Sequence, residues 1–367
     1  MEIAFFGSSL VSAYWNGAAT YYRGIIRALA ALGHRVTFYE PDAYQRQEFR
    51  DMEDPEWARV EVYPATEDGV YRSLEKARSA DVIIKASGVG VFDDLLERSV
   101  LELQGPGTAV IFWDVDAPAT LDRLHHNWDD PFRTLIPKYD LILTYGGGPP
   151  VVVAYRSLGA RDCLPVYNAL DPQTHHPVPL EERFASDLLF IGNRLPDREE
   201  RVEHFFLESA AHLPHRRFLL GGSGWHDKPM PANVRYLGHV YTTDHNALNS
   251  SALAVLNISR SSMARYGYSP PTRIFEAAGA GACLITDNWQ GIDEFLEPNK
   301  EILVARDAHE VVEHLRRLGR MEARVLGKAA LQRVLAEHTY AHRAAQVDEL
   351  LRGASKQRAP APVAEFA

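Results

Sequence analysis

Short apolar runs alternate with amphipathic stretches along the first half of the chain. Residues 2–6 and 35–39 are predicted strands, and residues 18–32 between them place apolar side chains on one face of a predicted helix. Further apolar runs follow at residues 81–85, 109–113, 141–145 and 163–167. Buried strands that alternate with helices predict a parallel sheet covered on both faces. Ligands of such sheets bind beyond the carboxyl ends of the strands.

The second half repeats this alternation after a polar, proline-rich run. Strands are predicted at residues 187–191, 217–220, 253–258 and 283–287, and amphipathic helices at 307–318 and 321–337. The fold class is therefore α/β, with two Rossmann-like, doubly wound parallel-sheet domains. The predicted divisions are a first domain at residues 1–167, a linker at 168–183, a second domain at 184–338, a C-terminal helix at 339–352 and a disordered Ala/Pro-rich tail at 353–367.

Composition narrows the class of protein. A chain of 367 residues with 46% hydrophobic content can bury a large core. Its net charge of −10 argues against a nucleic-acid partner, because phosphate contacts need clustered Lys and Arg. Cys163 and Cys283 lie in apolar runs and are expected to be buried free thiols. The first residues lack a basic segment, and no apolar run approaches the roughly 20 residues of a membrane span, so we expect a cytoplasmic protein.

A double proline in the second half predicts an anion site. Pro270 is held extended because it precedes Pro271, and Pro271 suits the first position of a helix. The first free amides then belong to Thr272 and Arg273, at the positive end of the helix dipole. The side chain of Arg273 adds a fixed charge, so an anionic ligand group is expected in front of this helix.

Glu276 follows one turn later in the same helix. A carboxylate next to a phosphate site can accept both hydrogen bonds of a vicinal diol such as ribose. An anion site beside a diol acceptor predicts a nucleoside diphosphate. The alternative, that Glu276 is an ordinary solvated helix residue, is equally compatible with the spacing.

The loop after the first strand is a second candidate region. Gly7, Ser8 and Gly17 lie in it, but the loop lacks the G-x-G-x-x-G pattern of dinucleotide-binding proteins. Glu40 follows the second strand, where such proteins bind ribose, and is weak evidence without that pattern.

Two carboxylates, Asp114 and Asp116, follow the strand at residues 109–113 and are candidates for a general base that activates an acceptor hydroxyl. Asp116 has an equally plausible alternative role, since it precedes Ala-Pro-Ala-Thr-Leu and would cap that helix.

The segment around Glu276 resembles a known family. Its Ser-Pro-x-x-Arg-x-Phe-Glu-Ala pattern is similar to the signature of CgeB-like GT-B glycosyltransferases. The matching residues are Ser269, Pro270, Arg273, Phe275, Glu276 and Ala277, and the similarity continues through residues 284–287, 291–298, 301–305 and 337–343. The run from Asn168 to Pro177 resembles the crossover between the domains of such enzymes.

The resemblance implies a GT-B fold with a cleft between the domains and a nucleotide-sugar donor, UDP- or GDP-linked, bound by the second domain. It implies that Glu276 holds the donor ribose and that the helix start faces the diphosphate. Other donor contacts that it implies are Arg194, Arg198, Arg260, Tyr268, Ser269, Thr272 and Arg273, with Arg201 a weaker candidate, and Gly238, His239 and Val240 for the nucleobase. Gly7, Ser8 and Gly17 would approach the donor phosphates or the acceptor, and the C-terminal helix would cross back to the first domain.

The predicted activity is transfer of a hexose-like sugar to an acceptor that the sequence does not identify. No metal or separate cofactor is predicted, because helix amides and arginines can neutralise the diphosphate; Asp114-Val-Asp116 has the spelling of a metal motif but lies in the other domain. The resemblance favours retention of configuration, yet Tyr268 stands where many retaining members carry a second glutamate, so this point stays open. A nucleotide-sugar epimerase or hydrolase and a non-catalytic nucleotide-sugar-binding protein are the alternatives. The sequence gives no indication of oligomeric state.

Overall fold

A computed structural model describes residues 1–14 and 16–358 of the chain. The chain divides into two compact units. The first unit contains Met1–Tyr167 and the chain from Tyr340 onward, and the second contains Asn168–Thr339. Trp15 and residues 359–367 lie outside the described residues, so most of the predicted disordered tail does too.

The first unit is built on a seven-stranded parallel sheet in the order β3-β2-β1-β4-β5-β6-β7. The strands are β1 (Glu2–Phe6), β2 (Arg35–Asp42), β3 (Arg59–Pro64), β4 (Val82–Ala86), β5 (Ala109–Asp114), β6 (Leu141–Thr144) and β7 (Cys163–Pro165). The interior strands β4, β5 and β6 are buried along their whole length because helices cover both faces of the sheet. The helices of this half are α1 (Ala19–Ala31), α2 (Glu67–Ala77), α3 (Asp93–Ser99), α4 (Ala117–His126) and α5 (Gly148–Ser157).

The second unit has a six-stranded parallel sheet in the order β10-β9-β8-β11-β12-β13. Its strands are β8 (Ser186–Ile191), β9 (Phe218–Gly221), β10 (Val234–Gly238), β11 (Ala252–Asn257), β12 (Leu284–Asp287) and β13 (Leu303–Ala305). The helices are α6 (Glu199–Val202), α7 (Glu208–His212), α8 (Thr242–Ser251), α9 (Ser261–Tyr266), α10 (Thr272–Gly279), α11 (Ala308–Arg317) and α12 (Arg320–Glu337), with a π-helical turn at Glu203–Leu207 between α6 and α7. The strands and helices bury a core that includes Leu188, Phe206, Phe218 and Ile285.

The strand order reverses direction at the centre of each sheet. The chain runs outward from β1 to β3 and then returns to place β4 on the other side of β1, and β11 likewise lies on the other side of β8 from β9. The loops that follow the two central strands therefore diverge and leave a crevice at the carboxyl edge of the sheet. In the second unit this crevice lies beyond Ile191 of β8 and Asn257 of β11.

The last helix, α13 (Tyr340–Arg358), belongs to the first unit. It packs on α1 at Gly24, where an added Cβ would lie 2.2 Å from the Tyr340 ring. His34 and Asp348 are also joined, with 2.8 Å between Nε2 and Oδ1. The helix was expected to end near Leu351 and instead continues to Arg358, so residues 353–358 of the predicted tail are helical.

The predicted strands are all present, with shifts at their ends, and several further elements were missed, among them β3, β13, α2 and α8. β3 was not predicted because it is an edge strand in which Tyr63 alone is buried, so its sequence lacks an apolar run. The helix that follows it, α2, was missed with it. β12 is followed by the short 3₁₀ turn Ile292–Glu294. Both cysteines are buried free thiols, as predicted. Among the described helices, none combines the length and apolar character needed to cross a bilayer.

Candidate functional site

The helix that carries Glu276 begins one residue later than predicted. α10 starts at Thr272, and Pro271 is its N-cap, with φ −64° and ψ 151° and no side-chain cap. The amides of Thr272 and Arg273 are in the first turn, where no helical carbonyl is available to them. The positive end of this helix is therefore available to an anion, as the sequence indicated.

Arg273 fixes this helix start against the central strands. Its Nε donates to the carbonyl oxygen of Ile191 at 2.6 Å, and its Nη1 donates to Oδ1 of Asn257 at 2.9 Å. The guanidinium carbon lies 4.9 Å from the centre of the Phe190 ring. Arg273 thus lies where β8 and β11 end, at the crevice that the strand order creates.

A second arginine, Arg198, lies over the same ring. Its guanidinium carbon is 5.7 Å from the centre of Phe190, and a Cβ added to Gly192 would lie 3.0 Å from Nη2 of Arg198 and 2.9 Å from Nη2 of Arg273. Glycine at position 192 therefore lets two guanidinium groups approach each other.

Arg198 lies close to two other arginines, Arg273 and Arg260. Burial, followed by the charges of Arg273 and then of Arg260, lowers the pKa of Arg198 to about 9, and the nearby Asp197 only partly opposes this. Asp197 itself accepts from Nε of Arg260 at 2.8 Å. Within the described part of the chain, Nε of Arg198 is buried and has no hydrogen-bond partner. The Nε of Arg198 without a partner, beside other guanidinium groups, is suited to bind an anion.

The other arginines of this segment are already paired. Arg194 binds Glu199 at 2.6 Å and Asp227 at 2.8 Å, which satisfies its charge without a ligand. Arg201 binds the fully buried Asp287 at 2.6 Å and so links α6 to the end of β12. The resemblance suggested both Arg194 and Arg198 as contacts of the donor. Because Arg194 is already paired, Arg198 is the stronger candidate.

Glu276 is not an ordinary solvated helix residue. Its side chain is 16% exposed, and it accepts no hydrogen bond from any residue that the structure describes. Two imidazoles face it: Nε2 of His175 is 3.8 Å from Oε1, and Nδ1 of His245 is 3.9 Å from Oε2. A mostly buried carboxylate without donors is suited to accept hydrogen bonds from a ligand.

The remaining predicted donor contacts lie in two loops of the second unit. Tyr268 has φ +45°, a left-handed conformation that is unusual for tyrosine, and its ring covers Gly291. Ser269 is buried, and its hydroxyl donates to the carbonyl oxygen of Gly267 at 2.9 Å.

Beyond β10, the carbonyl oxygen of Gly238 accepts from the amide of Gly222 at 2.7 Å, and His239 packs edge-on against Tyr241. Val240 lies against Gly221, with its Cγ2 2.6 Å from the Cβ that residue would carry. Contacts of these residues with a nucleobase stay predictions.

In the first unit, the loop after β1 is held by its own polar groups. The hydroxyl of Ser8 donates to Asn16 at 2.9 Å, and the amide of Gly7 donates to the carbonyl oxygen of Tyr39 at 3.1 Å. Gly17 has open space where a side chain would project. Glu40, at the carboxyl end of this sheet, is fully buried and accepts from Ser9, Leu10 and Gln47, so it orders the loop.

The two acids after β5 have different environments. Asp114 is 0% exposed, and its carboxylate accepts from Ser87, Thr120, Tyr155 and the amide of Asp116. Burial raises the pKa of Asp114, but its oxygens are occupied by the protein, which favours a structural role over the catalytic one.

Asp116 is half-buried at the N-cap of α4, and its side chain makes no capping hydrogen bond. The capping alternative is therefore not what the structure shows, and the role of Asp116 as a base stays a prediction.

His175 and His245 were missed by the sequence analysis. They are 70 positions apart, and neither lies in a recognisable spacing with Glu276, so only the fold brings them together. Together with Glu276, they are the residues of the described chain whose ligand atoms are close enough to consider for a metal ion, all within 4.8 Å of one another.

The two doubly wound parallel sheets match those of GT-B glycosyltransferases. In addition, residues 198–349 match the family described as Glycosyl transferase-like. The chain thus has the GT-B fold, and the segment that contains Arg198, Arg273 and Glu276 is glycosyltransferase-like.

Several solved structures share this fold along the whole chain. A sucrose-phosphate synthase from Thermosynechococcus elongatus has a TM-score of 0.69 at 15% identity, with 96% of this chain and 98% of that chain covered. Anabaena HepE in complex with UDP and glucose gives 0.68 at 13% identity, with 96% and 100% covered. An alpha-glucosyltransferase in complex with UDP-glucose and DNA gives 0.70 at 12% identity, with 96% and 99% covered. No curated protein matches the chain in sequence.

Proposed function

We propose that the protein is a glycosyltransferase that takes a sugar from a nucleoside diphosphate and transfers it to an acceptor. The observation that carries this proposal is that the closely spaced guanidinium groups of Arg198 and Arg273 lie at the start of the helix that carries the open carboxylate of Glu276. A nucleoside diphosphate has a pyrophosphate that suits the arginines and a ribose diol that suits the carboxylate. We favour UDP over GDP as the nucleotide, because HepE and the alpha-glucosyltransferase were solved with UDP or UDP-glucose.

The arginines would act on the leaving group. Negative charge builds up on the diphosphate as the glycosidic bond breaks, and preorganised donors stabilise that charge. Arg198 and the amides at the start of α10 would hold the diphosphate, while Arg273, already bonded to Ile191 and Asn257, would keep the helix start in place. These groups can neutralise the diphosphate without a metal ion, and we propose a metal-independent reaction on that basis.

The acceptor would be bound by the first unit, near the residues that follow β1 and β5. Asp116 is our candidate for the base that takes the proton of the acceptor hydroxyl, since Asp114 is occupied by four donors of the protein. Membership of the CgeB-like group and retention of configuration are further parts of this proposal. The anomeric coupling constant of the product in proton NMR measures the stereochemistry directly.

Calorimetric titration with UDP and GDP tests the donor site. We expect Glu276→Ala to weaken nucleotide binding at least tenfold, about 1.4 kcal/mol, because a charged acceptor of two hydrogen bonds is removed. Glu322→Ala on α12 is the matched control, since Glu322 is exposed and lies outside the site. Unchanged nucleotide affinity in Glu276→Ala would contradict the assignment.

Activity assays then separate transfer from the alternatives. Incubation with UDP-glucose alone and with a panel of glycan acceptors should release UDP in step with product only when an acceptor is present. Release of free sugar or a new nucleotide sugar without acceptor would instead identify a hydrolase or an epimerase. Binding without turnover on any substrate would identify a non-catalytic protein.

A further inference from the structure

The two histidines that face Glu276 are placed one to each carboxylate oxygen. His175 is buried in the segment that opens the second unit, and its Nε2 faces Oε1. His245 lies on α8, is half-buried, and its Nδ1 faces Oε2. Three separate segments of the chain thus bring two nitrogens and two oxygens together.

The separations suit an inserted hydroxyl group. At 3.8 Å and 3.9 Å, the nitrogens are too far from the oxygens for direct hydrogen bonds, whose usual length is about 2.7–3.2 Å. A hydroxyl oxygen about 2.7 Å from the carboxylate oxygen and about 2.9 Å from the nitrogen spans such a gap with an angle of about 85–90°. A hydroxyl donates one hydrogen bond and accepts others, so it can donate to the carboxylate and accept from the imidazole.

The protonation of His175 fits this arrangement. Its Nδ1 is buried and has no hydrogen-bond partner among the described residues. In a neutral imidazole one nitrogen carries the proton and the other is an acceptor. In the tautomer with the proton on Nε2, the buried Nδ1 is an acceptor without a donor, which costs less than a buried N–H group without an acceptor. The same tautomer directs the Nε2–H group toward Glu276. Burial lowers the pKa of His245, which favours its neutral form.

A metal ion fits the same three residues less well. Metal–ligand distances of about 2.0–2.1 Å in a tetrahedral zinc site place neighbouring ligand atoms about 3.4 Å apart. Both nitrogen–oxygen separations are wider, and the two imidazoles face different oxygens rather than converging on one point. A pair of hydroxyl groups, one in each gap, matches this geometry better than a single ion.

We infer that His175 and His245 are specificity-determining residues of the donor site. Each imidazole donates a hydrogen bond to one hydroxyl of the vicinal diol that Glu276 holds, so that the site selects ribonucleotides over deoxyribonucleotides. This inference rests on the proposed nucleotide-binding function. It assigns to the two histidines a ligand group, the 2′- and 3′-hydroxyls, that the sequence did not connect with them.

Thermodynamic cycles between protein and ligand changes test the inference. UDP, 2′-deoxy-UDP and 3′-deoxy-UDP are titrated into the wild-type protein, His245→Ala and His175→Phe. We expect each histidine substitution to weaken UDP binding about tenfold and to leave the affinity for one of the two deoxy forms nearly unchanged, because the hydroxyl that the histidine bonds is already absent. His245→Asn and His175→Gln place an amide N–H near the lost nitrogen and should recover part of the affinity.

These experiments distinguish failure of the inference about the histidines from failure of the proposed function. A wild-type protein that binds neither UDP nor GDP overturns the proposed function, whereas additive losses for histidine and hydroxyl overturn this inference alone. Zn²⁺ that competes with UDP in the wild-type protein but not in His245→Ala would show a metal site and would also overturn it. If His175→Phe does not fold, as judged by its melting curve, the cycle with the less buried His245 decides.

Discussion

Replacing Arg198 by methionine is expected to stabilise the protein while weakening its binding of a nucleoside diphosphate. The guanidinium of Arg198 lies beside Arg273 and Arg260, and burial together with their charges lowers the pKa of Arg198 to about 9. An ordinary arginine has a pKa of about 12.5 or above. The folded protein without ligand therefore holds this charge at a free-energy cost.

The size of that cost follows from the pKa. One pKa unit corresponds to about 1.36 kcal/mol, so the charge destabilises the folded state by at most about 5 kcal/mol at pH 7. Two contacts of Arg198 offset part of this: the cation–π contact with Phe190, about 0.5–2 kcal/mol, and the hydrogen bond to the carbonyl oxygen of Asn193, about 1.5–3 kcal/mol. Methionine keeps much of the packing volume, so we expect the free energy of unfolding to rise by about 1–2 kcal/mol.

The ligand reverses this balance. A diphosphate supplies the missing negative charge, and loss of a charged hydrogen bond is worth about 1.5–3 kcal/mol, so Arg198→Met should raise the Kd for UDP by roughly 10–100-fold. Calorimetry measures the affinity, and urea denaturation without nucleotide measures the stability. A variant that unfolds more easily than the wild type and binds UDP equally well would refute the reasoning, because Arg198 would then be a structural residue.

Two neighbouring arginines are matched controls. Arg201→Met should destabilise the protein by about 3–5 kcal/mol, because it leaves the fully buried Asp287 without its partner. Arg194→Met removes partly exposed pairs with Glu199 and Asp227 and should change stability by about 1 kcal/mol or less. Three substitutions of one residue type within one segment thus have three distinct expected signatures.

The first unit allows three more predictions. Asp116→Asn should abolish sugar transfer while changing the free energy of unfolding by less than about 0.5 kcal/mol, because asparagine keeps the size and shape of the side chain at the N-cap of α4; a large loss of melting temperature would speak against a catalytic role. Asp114→Asn should lower the free energy of unfolding by about 1–3 kcal/mol, since the amide nitrogen of asparagine cannot accept the hydrogen bonds that one carboxylate oxygen accepts. Burial raises the pKa of Glu97 to about 7, so the stability it contributes is complete below about pH 4.5 and is lost as the pH rises through 7. Between pH 5 and pH 8, the free energy of unfolding of Glu97→Gln should therefore rise by about 2–3 kcal/mol relative to that of the wild type, as measured by denaturation curves. A difference between the two proteins that is the same at both pH values would show that Glu97 does not titrate in this range.

The fold was largely predictable because interior strands of a parallel sheet are continuous apolar runs. β4, β5 and β8 are such runs, and their alternation with helices specified two doubly wound sheets. β3 was missed because an edge strand exposes alternate side chains and lacks that signal. The start of α10 was displaced by one residue, since a proline fits the N-cap as well as the first helical position.

The candidate donor site was only partly predictable, because a sequence shows which residues are charged but does not show which of them form ion pairs. Arg194 and Arg198 are four positions apart, and only the structure shows that Arg194 is paired with Glu199 and with Asp227, which lies 33 positions away. His175 and His245 reach Glu276 through the fold and not through any spacing. A sequence therefore indicates which segments supply a site, whereas the pairing of charges decides which of their residues remain available to a ligand.

Two glutamates at the carboxyl edges of the two sheets illustrate why we place the proposed donor site in the second unit. Glu40 in the first unit accepts three hydrogen bonds from its own chain, from Ser9, Leu10 and Gln47, so its oxygens are occupied before any ligand arrives. Glu276 in the second unit accepts none from the described residues. With 16% of its side chain exposed, Glu276 is open to hydrogen-bond donors from a ligand. Related folds can thus use the same edge of the sheet either to order a loop or to bind a nucleotide, and the hydrogen-bond partners of the carboxylate distinguish the two uses.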